Sequence, residues 1–550
     1  MLTENFVRYL ENSIRKNWNI TAISDYQGKS FTYSEIAGDI LKIHLIFESA
    51  GIKKGDKIAL LGKNSARWTI VYLATITWGA VIVPILPDFK SDDKHHIINH
   101  SDSLILFCAD SIFEELNPDR IKKIIGIISL SNYGLLQSGS VKFKKILDNK
   151  DTLFEERYIS GLTPDLFKVP EVPNGDLAVI SYTSGTTGFS KGVMLQHNSL
   201  AANIRFARNN MPLKPGDPIV SFLPLAHTFG AAFEFLFPFT IGCHITILTK
   251  TPSPQIIMQA FQEIKPALIL SVPLVIEKIY KRQLIPVISK KSMKVLLMLP
   301  IINKLIHKKI NKKLMSVFGG NFSEVVIGGA ALNAEAEEFF RKIKFRYTVG
   351  YGMTECGPLI SYASCKTNKL ASAGKSVDTL EVKIDSPDPY NIVGEIIVKG
   401  DNVMLGYYKN EKATKEIIDN DGWLHTGDLG LIDREGFIFI KGRSKSLLLG
   451  ANGKNIYPEE IEATLNNRYC VAESLVVQRG EKLIALIYPD PETVGSNNIS
   501  HDELVAILEN HRREVNAKVP SYMNISKFEI YPEEFAKTPK RSIKRFLYNE

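Results

Sequence analysis

An α/β fold, with a large N-terminal region of layered, mostly parallel sheets and a small α+β C-terminal domain, is what this sequence predicts. Its 550 residues exceed what one hydrophobic core ordinarily organises. Short β-rich apolar runs alternate with helical patterns over most of the length. From about Lys383 the texture changes to short strands and turns. KIALLG (57–62), AVIVPI (80–85) and SLILFCA (103–109) are unbroken apolar runs, as expected of strands covered on both faces. Between the first two, SARWTIVYLATITWG places its apolar residues at helical spacing, which completes a βαβ unit. DLAVISY (176–182), ALILSVP (267–273) and EVVIGGA (324–330) continue the pattern. EIIVKG, GFIFIKG and SLLLGANGK then form the strand-and-turn region. A boundary near Gly442–Lys445 divides residues 1–442 from a small unit of residues 443–550.

The composition is that of a globular enzyme-sized chain, 45% hydrophobic and 23% charged. A formal charge of +8 is modest for this length and does not call for nucleic acid. The five cysteines contain no C-x-x-C pair, against a zinc site or disulfide framework and in favour of a reducing, cytoplasmic setting. The N-terminus lacks the apolar stretch of a signal peptide, and runs such as VLLMLPII are too short to cross a bilayer. One segment is biased: Lys278–Lys313 carries eleven Lys and Arg and no acidic residue, interleaved with Ile, Leu, Val and Met. It is either a solvated helical face or a peripheral membrane patch that attracts anionic lipid.

The segment richest in chemistry is YTSGTTGFSKG, Tyr182–Gly192. It follows a strand and concentrates glycines, Ser and Thr hydroxyls and Lys191. Small residues let backbone N–H groups converge on phosphate oxygens, hydroxyls add donors, and the lysine adds charge. The spacing is not that of a Walker A loop. Gly188–Gly192 does fit G-x-S-x-G, but a nucleophile elbow requires its serine immediately after the strand, and Ser190 lies well past LAVISY.

The full eleven-residue string resembles the phosphate loop of the adenylate-forming superfamily of acyl-CoA synthetases, luciferases and peptide-synthetase adenylation domains. SFLPLAHTFG (221–230), VIGGAAL (326–332), YGMTECGP (351–358), WLHTGDLG (423–430) and GRSKSLLLGANGKNIYPEEIE (442–462) match that family's motifs in order, so the resemblance covers essentially the whole chain. Overall the chain is similar to bacterial long-chain fatty acid–CoA ligases. The resemblance implies an ATP- and Mg²⁺-dependent ligase that converts a medium-to-long-chain fatty acid to acyl-AMP and passes the acyl group to CoA. Transfer to an acyl carrier protein is the alternative acceptor, and a nucleotide- or acyl-AMP-binding relative without turnover is the non-enzymatic alternative.

The resemblance also implies residue roles. Thr183, Ser184, Gly185, Thr186, Thr187, Gly188 and Lys191 would hold the nucleotide phosphates, with Thr183 and Glu355 at Mg²⁺. Thr354 would bond the α-phosphate. Tyr351, with Gly352, would meet adenine, which would lie along Gly328, Gly329 and Ala330. Asp428 would accept the ribose hydroxyls with Arg443 assisting, and His227 would gate the carboxylate site with Phe229 nearby. AAFEFLFPF (231–239) would either line an acyl tunnel or belong to the core. Lys445 stands at the family's hinge, about which the small domain rotates between adenylating and thiol-transfer arrangements; Ser446 replaces the acidic residue often found next.

The departure lies in the tail, AKTPKRSIKR (536–545). The family's last motif, G-K-I-x-R, carries a lysine that bridges carboxylate and phosphate as the adenylate forms. Aligning Ile543–Arg545 puts Ser542 at that position, after Arg541 rather than glycine. In an extended segment residues two apart share a face, so Lys540 and Lys544 flank Ser542 and are the candidates to replace the missing cation. Slow adenylation without it, or none, are the other two readings.

Overall fold

The computed structural model describes residues 2–183, 190–250, 253–280, 284, 299–449, 455–480, 482–538 and 543–548. Its largest sheet has eight strands in the order Gly406–Tyr407, Lys191–Gln196, Leu177–Thr183, Val81–Ile85, Lys57–Leu61, Ser103–Cys108, Gly126–Ser129 and Leu135–Gln137. The five from Leu177–Thr183 to Gly126–Ser129 run parallel, and the flanking pairings are antiparallel. The helix Ala66–Trp78 makes the crossover between two of them. Ser65 Oγ caps it by accepting from Trp68 N–H, and Gly79 ends it in the left-handed region at φ 86°. Its residues from Trp68 to Thr77 are all buried, as a helix wedged between layers requires.

A second sheet joins Pro218–Ser221, His244–Ile247, Thr21–Asp25 and Ser30–Thr32. A third is parallel and built of Ile269–Ser271, Val325–Ile327 and Tyr347–Val349. The predicted strand 267–273 is cut short here, because Pro273 fits the first turn of a helix, Pro273–Ile279, better than a sheet interior. The late strand-and-turn region is a four-stranded antiparallel sheet, Leu380–Asp385, Gly394–Gly400, Leu424–Ile432 and Ile438–Arg443. One continuous core runs through these layers from Phe6 to Ile438.

The C-terminal part has its own cores. Its sheet, Val471–Arg479, Lys482–Pro489 and Ile525–Ile530, packs one face against the helices Pro458–Leu465 and His501–Asn516. The other face is closed by Phe535, Ile543 and Tyr548, so the tail covers the sheet. Tyr531, Phe535 and Tyr548 form an aromatic cluster there, with centroids 5.1–5.4 Å apart.

Of the basic segment 278–313, the described part is mainly the helix Pro300–Val317. Ile310 and Leu314 face the core, whereas Leu299, Ile302 and Leu305 are 46%, 36% and 59% exposed beside Lys304, Lys308, Lys309, Lys312 and Lys313. No helix among the described residues is long and apolar enough to cross a membrane. All five cysteines are free thiols.

Candidate active site

The glycine-rich segment bridges two antiparallel strands. Thr183 ends one, Lys191 begins the next, and the two residues are paired in register. Thr183 Oγ1 lies 3.5 Å from the Lys191 carbonyl. Ser190 thus precedes a strand instead of a helix, which removes the structural context that a nucleophile elbow needs. Ser184, Gly185, Thr186, Thr187 and Gly188 lie outside the described residues. The lysine and the predicted metal carboxylate meet through a residue that sequence reasoning passed over. Tyr407 sits on the edge strand beside Val193, its ring 4.8 Å beneath the Lys191 ammonium. Its hydroxyl donates to Glu355 Oε1 at 2.9 Å. Burial, followed by the Glu355 charge, drives the Tyr407 hydroxyl well above the usual tyrosine range, so it remains a donor. The only sequence signal was an aromatic pair after glycine in G-Y-Y, which also reads as core.

A second cluster lies on the four-stranded sheet. Asp428 is buried, and its carboxylate receives the Tyr351 hydroxyl at 2.7 Å on Oδ2 and Arg443 Nε at 3.0 Å on Oδ1. Burial raises the Asp428 carboxyl above its ordinary value, while Arg443 and Tyr351 pull it back. Each oxygen retains a second lone-pair direction for an incoming hydroxyl. Tyr351 is therefore fixed by its hydroxyl. Gly352 is confined, since a Cβ there would lie 2.2 Å from the Pro358 carbonyl oxygen. Thr354 and Glu355 follow in a short helical turn, both buried.

Val325–Ile327 delivers Gly328, Gly329 and Ala330 at its C-terminal end, the usual ligand side of a parallel sheet. Gly329 has φ 87°, and Gly329 and Ala330 are exposed. Gly328 is buried against Phe229: a Cβ there would come within 3.0 Å of the ring. His227, half-buried, stands just before the helical turn Thr228–Gly230. The phenylalanine run that follows is core. Phe235 meets Tyr72 at 5.7 Å and Phe239 meets Tyr33 at 4.9 Å, with all four rings buried. Six residues of that run, Ala231–Leu236, form a π-helical turn containing the buried Glu234.

In the tail, Ile543 bridges antiparallel to Lys537, and Lys544 N–H donates to Ala536 O at 2.8 Å. The backbone of Lys544 is thus committed to closing the loop. Arg545 pairs with Glu462 and lies 3.8 Å from Glu459, both on the helix Pro458–Leu465. Glu462 Oε1 also accepts from Val476 N–H. Burial pushes the Glu462 carboxyl up to about 7, with Arg545 opposing. Glu459 reaches the domain junction, since its Oε2 lies 3.2 Å from where a Cβ on Gly442 would be. Lys445 is exposed in the short turn Ser444–Ser446. Lys540 and Ser542 lie outside the described residues.

Among the described residues no group of three or more His, Cys, Asp or Glu could enclose a metal. Glu355 has Oε2 to offer a magnesium ion that nucleotide phosphates would also hold, while Tyr407 occupies Oε1. The Asp428 pair and the Gly328–Ala330 strip fit a nucleoside, since they combine hydroxyl acceptors with a side-chain-poor surface.

The AMP-binding enzyme pattern matches residues 10–408, and that of the AMP-binding enzyme C-terminal domain matches 445–549. The chain belongs to this family of adenylate-forming enzymes. It is 28% identical to the long-chain-fatty-acid–CoA ligase FadD15 of Mycobacterium bovis, across 94% of this chain and 90% of that one. It is also 28% identical to the long-chain-fatty-acid–CoA ligase of Bacillus subtilis, across 85% and 82%. In fold it resembles an anthranilate CoA ligase in complex with anthranoyl-AMP, at TM-score 0.79 and 20% identity over 100% of this chain and 97% of that one. A benzoate CoA ligase from Burkholderia xenovorans superposes at TM-score 0.76, 18% identity and full coverage of both.

Proposed function

We propose that this protein is a fatty acyl-CoA ligase acting on medium-to-long chains. A fatty carboxylate oxygen attacks the α-phosphorus of ATP, forming acyl-AMP and releasing pyrophosphate. The CoA thiol, giving up its proton, then attacks the acyl carbonyl and releases AMP. The observation that carries this reading is the pairing of two clusters. Lys191 offers positive charge for phosphates and Glu355, held by Tyr407, a carboxylate for their magnesium, and Tyr351, Asp428 and Arg443 offer a hydroxyl-accepting carboxylate for ribose. The named relatives support the choice of acid and acceptor. Magnesium at Glu355, with Thr183 close by, would neutralise charge on the phosphates. Thr354 would donate to the α-phosphate, His227 would stand at the carboxylate end, and Lys540 or Lys544 would supply the tail cation. We place the domain junction at Lys445 and the protein on the cytoplasmic side.

Carboxylate-dependent ATP–pyrophosphate exchange with a panel of acyl chains is the test. Robust exchange with C8–C18 acids is expected; its absence with every acid would sink the reading. Release of AMP with CoA, against an acyl carrier protein, then identifies the acceptor.

A peripheral membrane contact is the second element, supported by exposed Leu299, Ile302 and Leu305 among five lysines. Replacing Lys304, Lys308, Lys309 and Lys312 by Gln should release the protein from vesicles containing phosphatidylglycerol. Unchanged co-sedimentation would exclude that contact.

A further inference from the structure

The turn that leads to His227 belongs to neither helix nor strand, yet apart from the exposed Pro224 it is buried, and its backbone N–H groups from Phe222 to Leu225 find partners. Strand Pro218–Ser221 ends, and the chain must reverse into Thr228–Gly230 through Phe222–Ala226. Two side chains from distant segments supply the missing hydrogen bonds. Glu234 Oε2 accepts from Ser221 Oγ at 3.0 Å, Phe222 N–H at 3.0 Å and Leu223 N–H at 2.9 Å. From the other side, Asn64 Nδ2 donates to Leu223 O at 2.7 Å and its Oδ1 accepts from Leu225 N–H at 3.0 Å. Pro224 has no N–H, and its carbonyl accepts from His227 N–H at 3.0 Å. Between Phe222 and Leu225, therefore, every N–H is held by one of these two side chains.

Packing makes the turn and helix one unit. A Cβ on Gly230 would come 2.6 Å from the Pro224 carbonyl oxygen, so the helix start touches the turn directly. Ala231 N–H then closes back onto His227 O at 2.9 Å. Displacing Leu223–Leu225 would carry His227 with it, and Phe229 away from Gly328.

Glu234 is fully buried in an otherwise apolar run, and its Oε1 has no partner among the described residues. Burial raises its carboxyl well above the ordinary value, opposed by the Leu223, Ser221 and Phe222 donors. A buried group half-satisfied in this way is costly, and such groups persist where they fix geometry.

We infer that Asn64 and Glu234 form a two-sided clamp that positions His227 and Phe229 for the fatty carboxylate. They are positioning residues, acting through the turn without touching substrate. The inference rests on the ligase reading for its substrate end, but the clamp itself is measurable without turnover.

The experiment uses the full chain and two readouts. In exchange assays, Asn64→Ala should raise the fatty-acid KM about tenfold and leave the ATP KM unchanged, and Glu234→Gln, which keeps an acceptor oxygen, should retain most activity. Combined with His227→Ala, Asn64→Ala should add little, because the group it positions is gone. Additive effects, or an equal rise in both KM values, would overturn the positioning role. Hydrogen exchange over residues 221–231 reads the clamp directly. Asn64→Ala should abolish protection there and spare the Lys57–Leu61 strand; unchanged protection would overturn the clamp. Should the wild type show no pyrophosphate exchange, the ligase reading and the positioning role fall together, and hydrogen exchange still decides the clamp. If Glu234→Ala does not fold, the Asn64 variants decide both points.

Discussion

The proposed nucleotide wall of the large domain and the tail of the small one hold their polar groups in opposite ways. On the wall each candidate carboxylate is already engaged by protein donors: Tyr407 on Glu355, Tyr351 and Arg443 on Asp428. In the tail Lys537 is engaged by Glu473 and Glu534 and Arg545 by Glu462, while the family resemblance aligns Ser542 with the lysine of the last motif. The wall therefore presents groups that need not reorganise when charge develops, which is where fixed dipoles contribute most to rate. The tail instead uses its ion pairs to hold its loop against the strand Val471–Arg479 and the helix Pro458–Leu465. Fixed geometry thus stays on the large domain, and the small domain secures its loop by the stem.

The comparison breaks most sharply at the wall. Glu355→Ala should lower pyrophosphate exchange by about 10³-fold, and Asp428→Ala by about 10²–10³-fold, since it leaves Arg443 and Tyr351 without their acceptor. A loss under tenfold in either would show that the wall is not the nucleotide site. Next comes the tail cation. If one flanking lysine replaces the missing one, Lys540→Ala or Lys544→Ala should cost about 10²-fold and Ser542→Lys should raise the rate. The committed backbone of Lys544 favours Lys540 as the larger effect. Neither variant mattering would make the tail purely structural. A smaller change tests the link between lysine and carboxylate: Tyr407→Phe should raise the Mg²⁺ needed for half-maximal exchange about tenfold, with the fatty-acid KM unmoved.

The smallest effect is on pH dependence. Glu462 takes up its proton at about 7 in the folded protein, against 4.5 for an ordinary glutamate. Between those values the folded state holds the extra proton, so small-domain stability should fall as pH rises from about 4.5 to 7, then level off. Glu462→Gln should flatten that slope in thermal unfolding, and an unchanged slope would place the titrating group elsewhere.

The candidate site residues stand out through the family resemblance of the strings that contain them, and not singly: Asp428 by itself reads as a turn residue, although it lies in the strand Leu424–Ile432. The βαβ unit 57–85 followed from the alternation of apolar runs with a helical pattern. The supporting residues were not legible, for a physical reason. Asn64 lies 159 residues from Leu223, and Tyr407 lies 52 from Glu355, so only tertiary packing joins them. Glu234 does leave a trace, a lone charge in AAFEFLFPF. The ring contacts of Phe235 and Phe239 place the run in the core, with the buried acid turned toward the loop it holds.

The contact between Gly328 and Phe229 ties two specificities to one another. An ideal Cβ at 328 meets three ring carbons at 3.0–3.4 Å. Under the roles proposed above, any larger residue at 328 would have to push the Phe229 ring toward the acid, and a smaller residue at 229 would remove what keeps 328 a glycine. Descendants of this chain that acquire a new acid preference at 229 therefore inherit freedom at 328 as well, and the two positions are expected to drift as a pair.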